Sequence, residues 1–271
     1  MTEQINTNKK PKVSIGMPVY NGEKYIREAL DSLLAQTFTD FELIISDNCS
    51  TDNTDSICKE YALKDSRIKY IRQLKNIGPT ANFKFVLQKA KADYFMWAAH
   101  DDRWRSNFLE KLSSILSNDS ACGLAFSNYI VRDLETESEL FYKVSASDTD
   151  SKTYNFLLRV LNVCPSLIYG LFKRSLIINN KFETFDFSDV HFISQLSLKA
   201  KIKIVDDYLY IAGTKGDRVP YSLNGKRINR GPFLKKQLEL LKGHFLFPLN
   251  YFLFSIVCVF MFYNKVKLWR Y

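Results

Sequence analysis

The first hundred residues alternate strictly between short apolar runs and amphipathic helical stretches, and few folds accommodate that order. Lys12-Val-Ser-Ile-Gly-Met-Pro18 reads as a strand stopped by Pro18 and followed by a Tyr20-Asn21-Gly22 turn. Glu23 to Gln36 sets Ile26, Ala29, Leu30, Leu33 and Leu34 at helical spacing. Phe41 to Ser46 is a second strand, and Asp47 to Asn53 a polar loop. Helix 54–63, strand 67–71, loop 75–79, helix 80–91 and strand 93–98 complete the series. Such an order predicts an α/β chain with a parallel sheet wound by right-handed crossovers. Ligands of these sheets sit at the carboxyl ends of the strands. Those ends are Pro18–Gly22, Asp47–Asp52, Asn76–Gly78 and His100–Asp102, where the polar residues gather.

The fourth of these ends is the most informative. Tyr94-Phe-Met-Trp-Ala-Ala-His-Asp-Asp-Arg-Trp104 is an apolar run that stops at two adjacent carboxylates. Acids at the end of a buried strand are costly unless something cationic satisfies them. A hard divalent cation carrying phosphate oxygens would do so. The competing reading is that Asp101 or Asp102 caps a helix starting near Arg103 and running to about Ser117. Beyond that point the alternation fails. Strand 121–132, a turn at 135–139, helix 152–161, strand 166–172, helix 188–200 and strand 202–205 describe a mixed extension.

Several chemistries are excluded by what is missing. No Gly-x-Gly-x-x-Gly follows the first strand and no Gly-Lys-Ser/Thr occurs, which argues against dinucleotide and Walker-type sites. No Gly-x-Ser-x-Gly elbow is present. His100, His191 and His244 lie far apart, so nothing in the sequence suggests a zinc cluster. The five cysteines are odd in number and scattered, the pattern of free thiols in a reducing compartment. Met1 to Lys12 is polar and lacks the apolar core of a secretory signal. The expected location is therefore cytoplasmic.

With these pieces in order, a family becomes recognisable. Val13-Ser-Ile-Gly-Met-Pro-Val-Tyr-Asn-Gly-Glu-Lys-Tyr-Ile26, followed by Leu33 to Asp52, resembles the N-terminal half of family 2 glycosyltransferases. Asn76-Ile-Gly78 and Trp97 to Trp104 continue the resemblance in register, and it runs more weakly to about residue 212. It implies a GT-A fold: a nucleotide-binding, Rossmann-like, mostly parallel sheet with a mixed C-terminal extension. It further implies a nucleotide-sugar donor, usually UDP-linked, Mg²⁺ or Mn²⁺, and inversion at the anomeric carbon.

The same resemblance distributes the roles. Pro18, Tyr20 and Glu23 would border the nucleotide pocket, Asp47 would bind the base, and Asn76 and Gly78 would line the ribose and donor side. The family's Asp-x-Asp-Asp motif falls on Ala99-His100-Asp101-Asp102, so its first acid is absent here. Asp101 becomes the metal ligand and Asp102 a sugar or supporting contact. The family's Glu-Asp pair falls on Ser188-Asp189, making Asp189 the base that deprotonates the acceptor. Lys215 or Arg218, in a later loop, would clamp the diphosphate. Plain structural roles compete at several positions. Tyr20 could be packing, Asp47 an Asx-turn residue, and Ser188 an N-cap with Asp189 a first-turn acid. Asp186 is a nearby rival for the base.

Charge separates the C-terminus from the rest. The net charge is +9, and the stretch from Lys199 to Tyr271 carries 14 Lys/Arg against 4 Asp/Glu, so the first 198 residues are nearly neutral. Phe245 to Tyr263 is uncharged and flanked by basic residues on both sides. Nucleic acid is not the expected partner, because the aromatics sit in an uncharged block and not among the basics. An anionic membrane surface fits better. An in-plane anchor, a true span and a buried helix all remain open. The expected organisation is a polar tail 1–11, a glycosyltransferase domain 12–230 with donor half 12–104 and acceptor half 105–230, and an apolar, membrane-associating segment 231–271. The expected acceptor is lipid-linked or a surface polysaccharide, at the cytoplasmic face of the membrane. Self-association is left open.

Overall fold

The computed structural model describes residues 10–144, 148–162, 164–180 and 188–214, together with positions 236, 239 and 240. The first half holds β1 (Val13–Val19), α1 (Ile26–Leu34), β2 (Phe41–Asp47), α2 (Thr54–Lys64), β3 (Ile68–Arg72), α3 (Pro79–Lys89) and β4 (Tyr94–Trp97). The second begins with β5 (Arg103–Trp104), α4 (Phe108–Asn118), β6 (Cys122–Asp133), β7 (Glu139–Tyr142) and α5 (Lys152–Leu161). A 3-10 turn at Pro165–Tyr169, β8 (Leu171–Lys173), a second 3-10 turn at Arg174–Leu176, α6 (Ser188–Ser197) and β9 (Lys201–Thr214) follow.

Among the described residues these strands form one sheet in the order β3-β2-β1-β4-β8-β6-β9-β5, with β7 paired to β6. The first four strands are parallel, as the alternation requires. Strand β8 runs antiparallel between β4 and β6, and β6 and β9 are again parallel. The expected α/β sheet with a mixed extension is therefore observed. Strands β1 and β2 are covered on both faces: Val13, Ile15, Met17, Leu43 and Ile45 are buried on one, and Ser14, Ile44 and Ser46 on the other.

Trp97 organises the core where the two halves meet. Its ring is fully buried and its indole N–H donates to the Phe83 carbonyl of α3 at 3.0 Å. It meets Phe95 of its own strand at 4.8 Å between centroids, Phe172 of β8 at 5.6 Å and Phe192 of α6 at 5.9 Å, all edge-on. Edge-to-face aromatic pairs add specific geometry to their burial. Helix α6 is thereby held against the strand that leads to Asp101.

Four expectations are corrected. Strand β1 runs through Pro18 to Val19. The Gly16 carbonyl accepts the Ala98 N–H, so the even-numbered backbone groups of β1 face β4, and β4 pairing ends at Gly16–Trp97. Pro18 lies one step past that end, where its missing N–H costs no ladder bond. Arg103–Trp104 is not the start of a helix but pairs antiparallel with Ile211 and Tyr210. Of the expected strand 166–172 only Leu171 and Phe172 are strand, in β8; the residues before them form the 3-10 turn Pro165–Tyr169, because Pro165 sets φ at the first position of a turn. Strand β9 extends to Thr214, well beyond the expected end at Val205, since its polar middle pairs with β6 across register shifts at Ser127–Asn128 and Asn128–Tyr129.

No helix among the described residues is long and apolar enough to cross a membrane. The apolar block 245–263 lies outside the described residues.

Candidate active site

The carboxyl ends of β1, β2 and β3 are laced together by side chain to backbone bonds. Asn21 takes a left-handed φ of 52° and accepts the Thr51 N–H, while its own N–H donates to the Ser50 hydroxyl at 2.9 Å. Glu23 accepts both the backbone N–H and the side-chain amide of Asn53, and those bonds hold its carboxyl below the ordinary range. Glu23 thus joins the β1–α1 and β2–α2 loops. Tyr20 is exposed at the mouth of this cluster, and Pro18 is half-buried beneath it.

Asp47 ends β2 and is completely buried. One carboxylate oxygen accepts the Ser50 N–H, three residues on, at 2.9 Å. The other faces the Tyr70 hydroxyl at 3.0 Å and the Arg72 guanidinium at 3.5 Å, both from β3. A nucleobase reading Asp47 would share it with Tyr70 and Arg72. Neither was singled out from the sequence, because the parallel pairing of β2 with β3 is what brings them there. Asn48 was also missed. It is buried, its amide donates to Asn76 and its carbonyl accepts the Ile77 N–H, so it carries the β3–α3 loop. Asn76 in turn accepts the Gly78 N–H, which fixes the entry into α3. The only sequence signal for Asn48 was its place in the Ser46-Asp-Asn-Cys-Ser-Thr-Asp run.

At the end of β4, His100 rests close against the β1 loop; a methyl group on Gly22 would come within 2.9 Å of its ring. Asp101 is half-buried. Asp102 is buried and accepts the Tyr210 hydroxyl in a short bond and the Gly213 N–H at 3.0 Å. Burial, and then the neighbouring Asp101 charge, push Asp102 up to about 7. Neither aspartate caps α4, which starts further on at Phe108 and has Asn107 as its N-cap.

Asp189 lies in the first turn of α6, half-buried, with one oxygen accepting the Val190 N–H. Two contacts bring its helix to the aspartate pair. Phe192, three residues on, packs on Trp97, four residues before Asp101. Tyr169, at the end of the 3-10 turn on which α6 packs, stacks on Tyr210 at 5.7 Å. The Tyr169 hydroxyl is raised by burial and then by the charges of Asp102, Asp101 and Asp189. Tyr169 and Tyr210 carry no motif, and only the fold gathers them. Asp186, Lys215 and Arg218 lie outside the described residues.

A divalent cation fits one particular part of this site. Among the described residues no three His, Cys, Asp or Glu side chains form a metal cluster. Both oxygens of Asp102 have protein donors, which leaves Asp101 to offer a carboxylate at the mouth. Mg²⁺ and similar ions are commonly held by one or two carboxylates together with substrate phosphates. The donor set therefore fits a cation that arrives with a diphosphate better than a resident all-protein site.

Comparison with known proteins places the chain among glycosyltransferases. An uncharacterized glycosyltransferase of Rickettsia typhi is 31% identical over 208 residues, which is 71% of this chain and 64% of that protein. A putative teichuronic acid biosynthesis glycosyltransferase, TuaG of Bacillus subtilis, is 35% identical over 123 residues, 45% of this chain and 48% of that one. The chain thus spans less than two thirds of the length of these relatives. In fold it is similar to TarS 1-349 of S. aureus, crystallised in complex with UDP-GlcNAc. The TM-score is 0.67 and the identity 21%, over 87% of this chain and 68% of that one. Residues 14–178, which hold β1 to β4 and the Asp101–Asp102 corner, match the family described as Glycosyl transferase family 2, and the chain belongs to it.

Proposed function

We propose that this protein is an inverting glycosyltransferase. It takes a sugar from a nucleoside diphosphate sugar, with UDP as the carrier, and passes it to a lipid-linked or surface-polysaccharide acceptor. One observation carries the reading: polar strand ends and a half-buried Asp101 form one rim, and the helix bearing Asp189 is packed against it through Trp97 and Tyr169. Similarity in fold to a protein crystallised with UDP-GlcNAc supports a UDP-linked donor. The relative named for teichuronic acid biosynthesis supports a surface-polysaccharide acceptor.

The chemistry follows from the residues. Asp47, with Tyr70 and Arg72, receives the base, and Asn76 and Gly78 hold the ribose side. Tyr20 lies over the nucleotide, while Pro18 and Glu23 shape the loop beneath it. Asp101 would hold Mg²⁺ or Mn²⁺, which when bound neutralises charge on the departing diphosphate. Asp189 accepts the proton of the acceptor hydroxyl, which attacks the anomeric carbon from the face opposite the diphosphate and so inverts it. Arg218 or Lys215 would close on the diphosphate. The basic, apolar segment 231–271 would hold the enzyme at the cytoplasmic face of the membrane bearing its acceptor.

The test uses the full chain with a panel of nucleotide sugars and Mn²⁺, following UDP binding, UDP release and the anomeric configuration of the product. Transfer with inversion is expected. No UDP binding with or without Mn²⁺ would remove the reading. Binding without release or transfer would favour a catalytically silent nucleotide-binding member, the alternative suggested by Ala99 in place of the motif's first acid. Fractionation of full-length protein and of a truncation after Leu241 checks the anchor. The full chain is expected with membranes and the truncation in solution with UDP binding intact.

A further inference from the structure

Asp102 is the second carboxylate of the pair, yet its geometry is not that of a residue waiting for a ligand. Its side chain points into the protein, where Tyr210 and Gly213 of β9 supply donors to its two oxygens. A buried carboxyl with a hydroxyl and an amide on it holds those groups in place, because releasing either leaves a buried oxygen short of a donor. What it holds is the end of β9. Gly213 lies directly under the Asp101 backbone: a methyl group there would stand 2.1 Å from the Asp101 carbonyl oxygen. The Asp101 peptide therefore rests on β9, and only glycine permits the approach.

The second partner extends the connection. Tyr210 is 1% exposed and stacks on Tyr169 at 5.7 Å. Tyr169 ends the 3-10 turn against which α6 packs, and α6 carries Asp189. Register shifts between β6 and β9 bring Tyr210 opposite Tyr129 and into this position. A continuous line of contacts thus runs from Asp101 through Asp102, Tyr210 and Tyr169 to the helix of the proposed base.

Resting on the glycosyltransferase reading, we propose that Asp102 and Tyr210 are positioning residues. Together they fix where Asp101 points and how far it stands from Asp189, and Asp102 binds neither the cation nor the sugar. Tyr210→Phe removes the hydroxyl and keeps the ring in its stack. Asp102→Asn keeps the shape and presents an amide N–H₂ to one of the two donors. A positioning role makes the two variants behave alike. Each should lose about tenfold or more in kcat and in the Mn²⁺ affinity of the UDP complex, since precise placement of reacting groups carries factors of this size. UDP affinity without Mn²⁺ should stay within about twofold of wild type, because the base and ribose contacts are elsewhere.

The experiment measures Mn²⁺ binding to the UDP complex by the electron paramagnetic resonance of free Mn²⁺, UDP release kinetics, and thermal unfolding. Matching defects in both variants, with cooperative unfolding retained, support the proposal. If Asp102→Asn abolishes Mn²⁺ binding while Tyr210→Phe leaves it intact, Asp102 is itself a ligand and the proposal is wrong. If both variants lower only the unfolding temperature and keep kcat and Mn²⁺ affinity, the pair merely stabilises the fold and the proposal is again wrong. Wild-type protein that binds no UDP overturns the glycosyltransferase reading, and with it this one. Wild-type activity alongside unaffected variants overturns this one alone.

Discussion

Replacing Arg159 by methionine should produce a loss of stability that grows with pH, and the reason lies in one buried ion pair. The Arg159 guanidinium, 1% exposed, donates to Asp148, 0% exposed, at 2.5 Å. Asp148 also accepts the Ile202 N–H at 2.9 Å, and its own N–H donates to the Ile202 carbonyl, so the pair ties α5 to the start of β9. Burial raises Asp148 above its usual range, while Arg159 pulls it back down by charge and hydrogen bond. Methionine removes that pull and keeps an unbranched apolar stem of similar length. Breaking a buried pair by deleting one partner costs about 3–5 kcal/mol when the survivor stays charged. The surviving carboxylate can escape that cost by protonating. Its folded pKa rises further above the unfolded value, so the variant's native state binds more protons than its unfolded state. Stability of the variant therefore falls as pH rises through this window. Urea unfolding at pH about 5 and about 8 checks it: the cost relative to wild type should be about 1 kcal/mol at the lower pH and about 3–5 kcal/mol at the higher. At pH about 8 that corresponds to a drop in Tm of roughly 6 to 20 °C for a domain of this size. UDP affinity should persist below the transition, since the pair lies outside β1 to β4 and the loops that follow them. A cost that is equal at both pH values, or that stays below about 1 kcal/mol at pH 8, would refute the reasoning.

Three other outcomes are expected. Asp189→Asn should lower transfer by roughly a hundredfold or more with donor affinity unchanged; full loss in Asp186→Asn with turnover kept in Asp189→Asn would move the base to Asp186. Asp101→Asn should weaken the Mn²⁺-dependent part of UDP binding by about tenfold or more, read by calorimetry with and without Mn²⁺. Cys49 holds a left-handed φ of 62° at the tip of the β2–α2 loop. Cys49→Gly should therefore raise stability by up to about 1 kcal/mol in urea unfolding and leave UDP affinity intact.

Much of the first half, β1 to β4, could be read directly from residues. Apolar runs of four to seven residues, broken by helices at regular spacing, leave parallel crossover pairing as the way to bury both faces of β1 and β2. Asp47, Asn76 and Asp101 were identifiable because each lies at or just beyond the carboxyl end of a strand, where the topology sends ligands, and the family resemblance supplied their roles. The second half was less legible. Short-range pattern could not reveal that Arg103–Trp104 pairs with residues more than a hundred positions later, nor that Pro165 would turn an apolar stretch into a 3-10 turn before β8.

The amino-acid order by itself determined the alternation, the polar strand ends and the carboxylate pair, since these depend on neighbours within a few residues. Tertiary structure decided what each carboxylate does. Asp101 and Asp102 are chemically identical and adjacent, and the turn that joins β4 to β5 leaves them in different surroundings. One remains half-buried at the mouth, while the other is turned in against Tyr210 and Gly213. The same holds for Asp47, whose partners Tyr70 and Arg72 arrive through the pairing of β2 with β3. Hydrogen-bond partners that are remote in sequence set the role of a buried charge, and no local pattern encodes them.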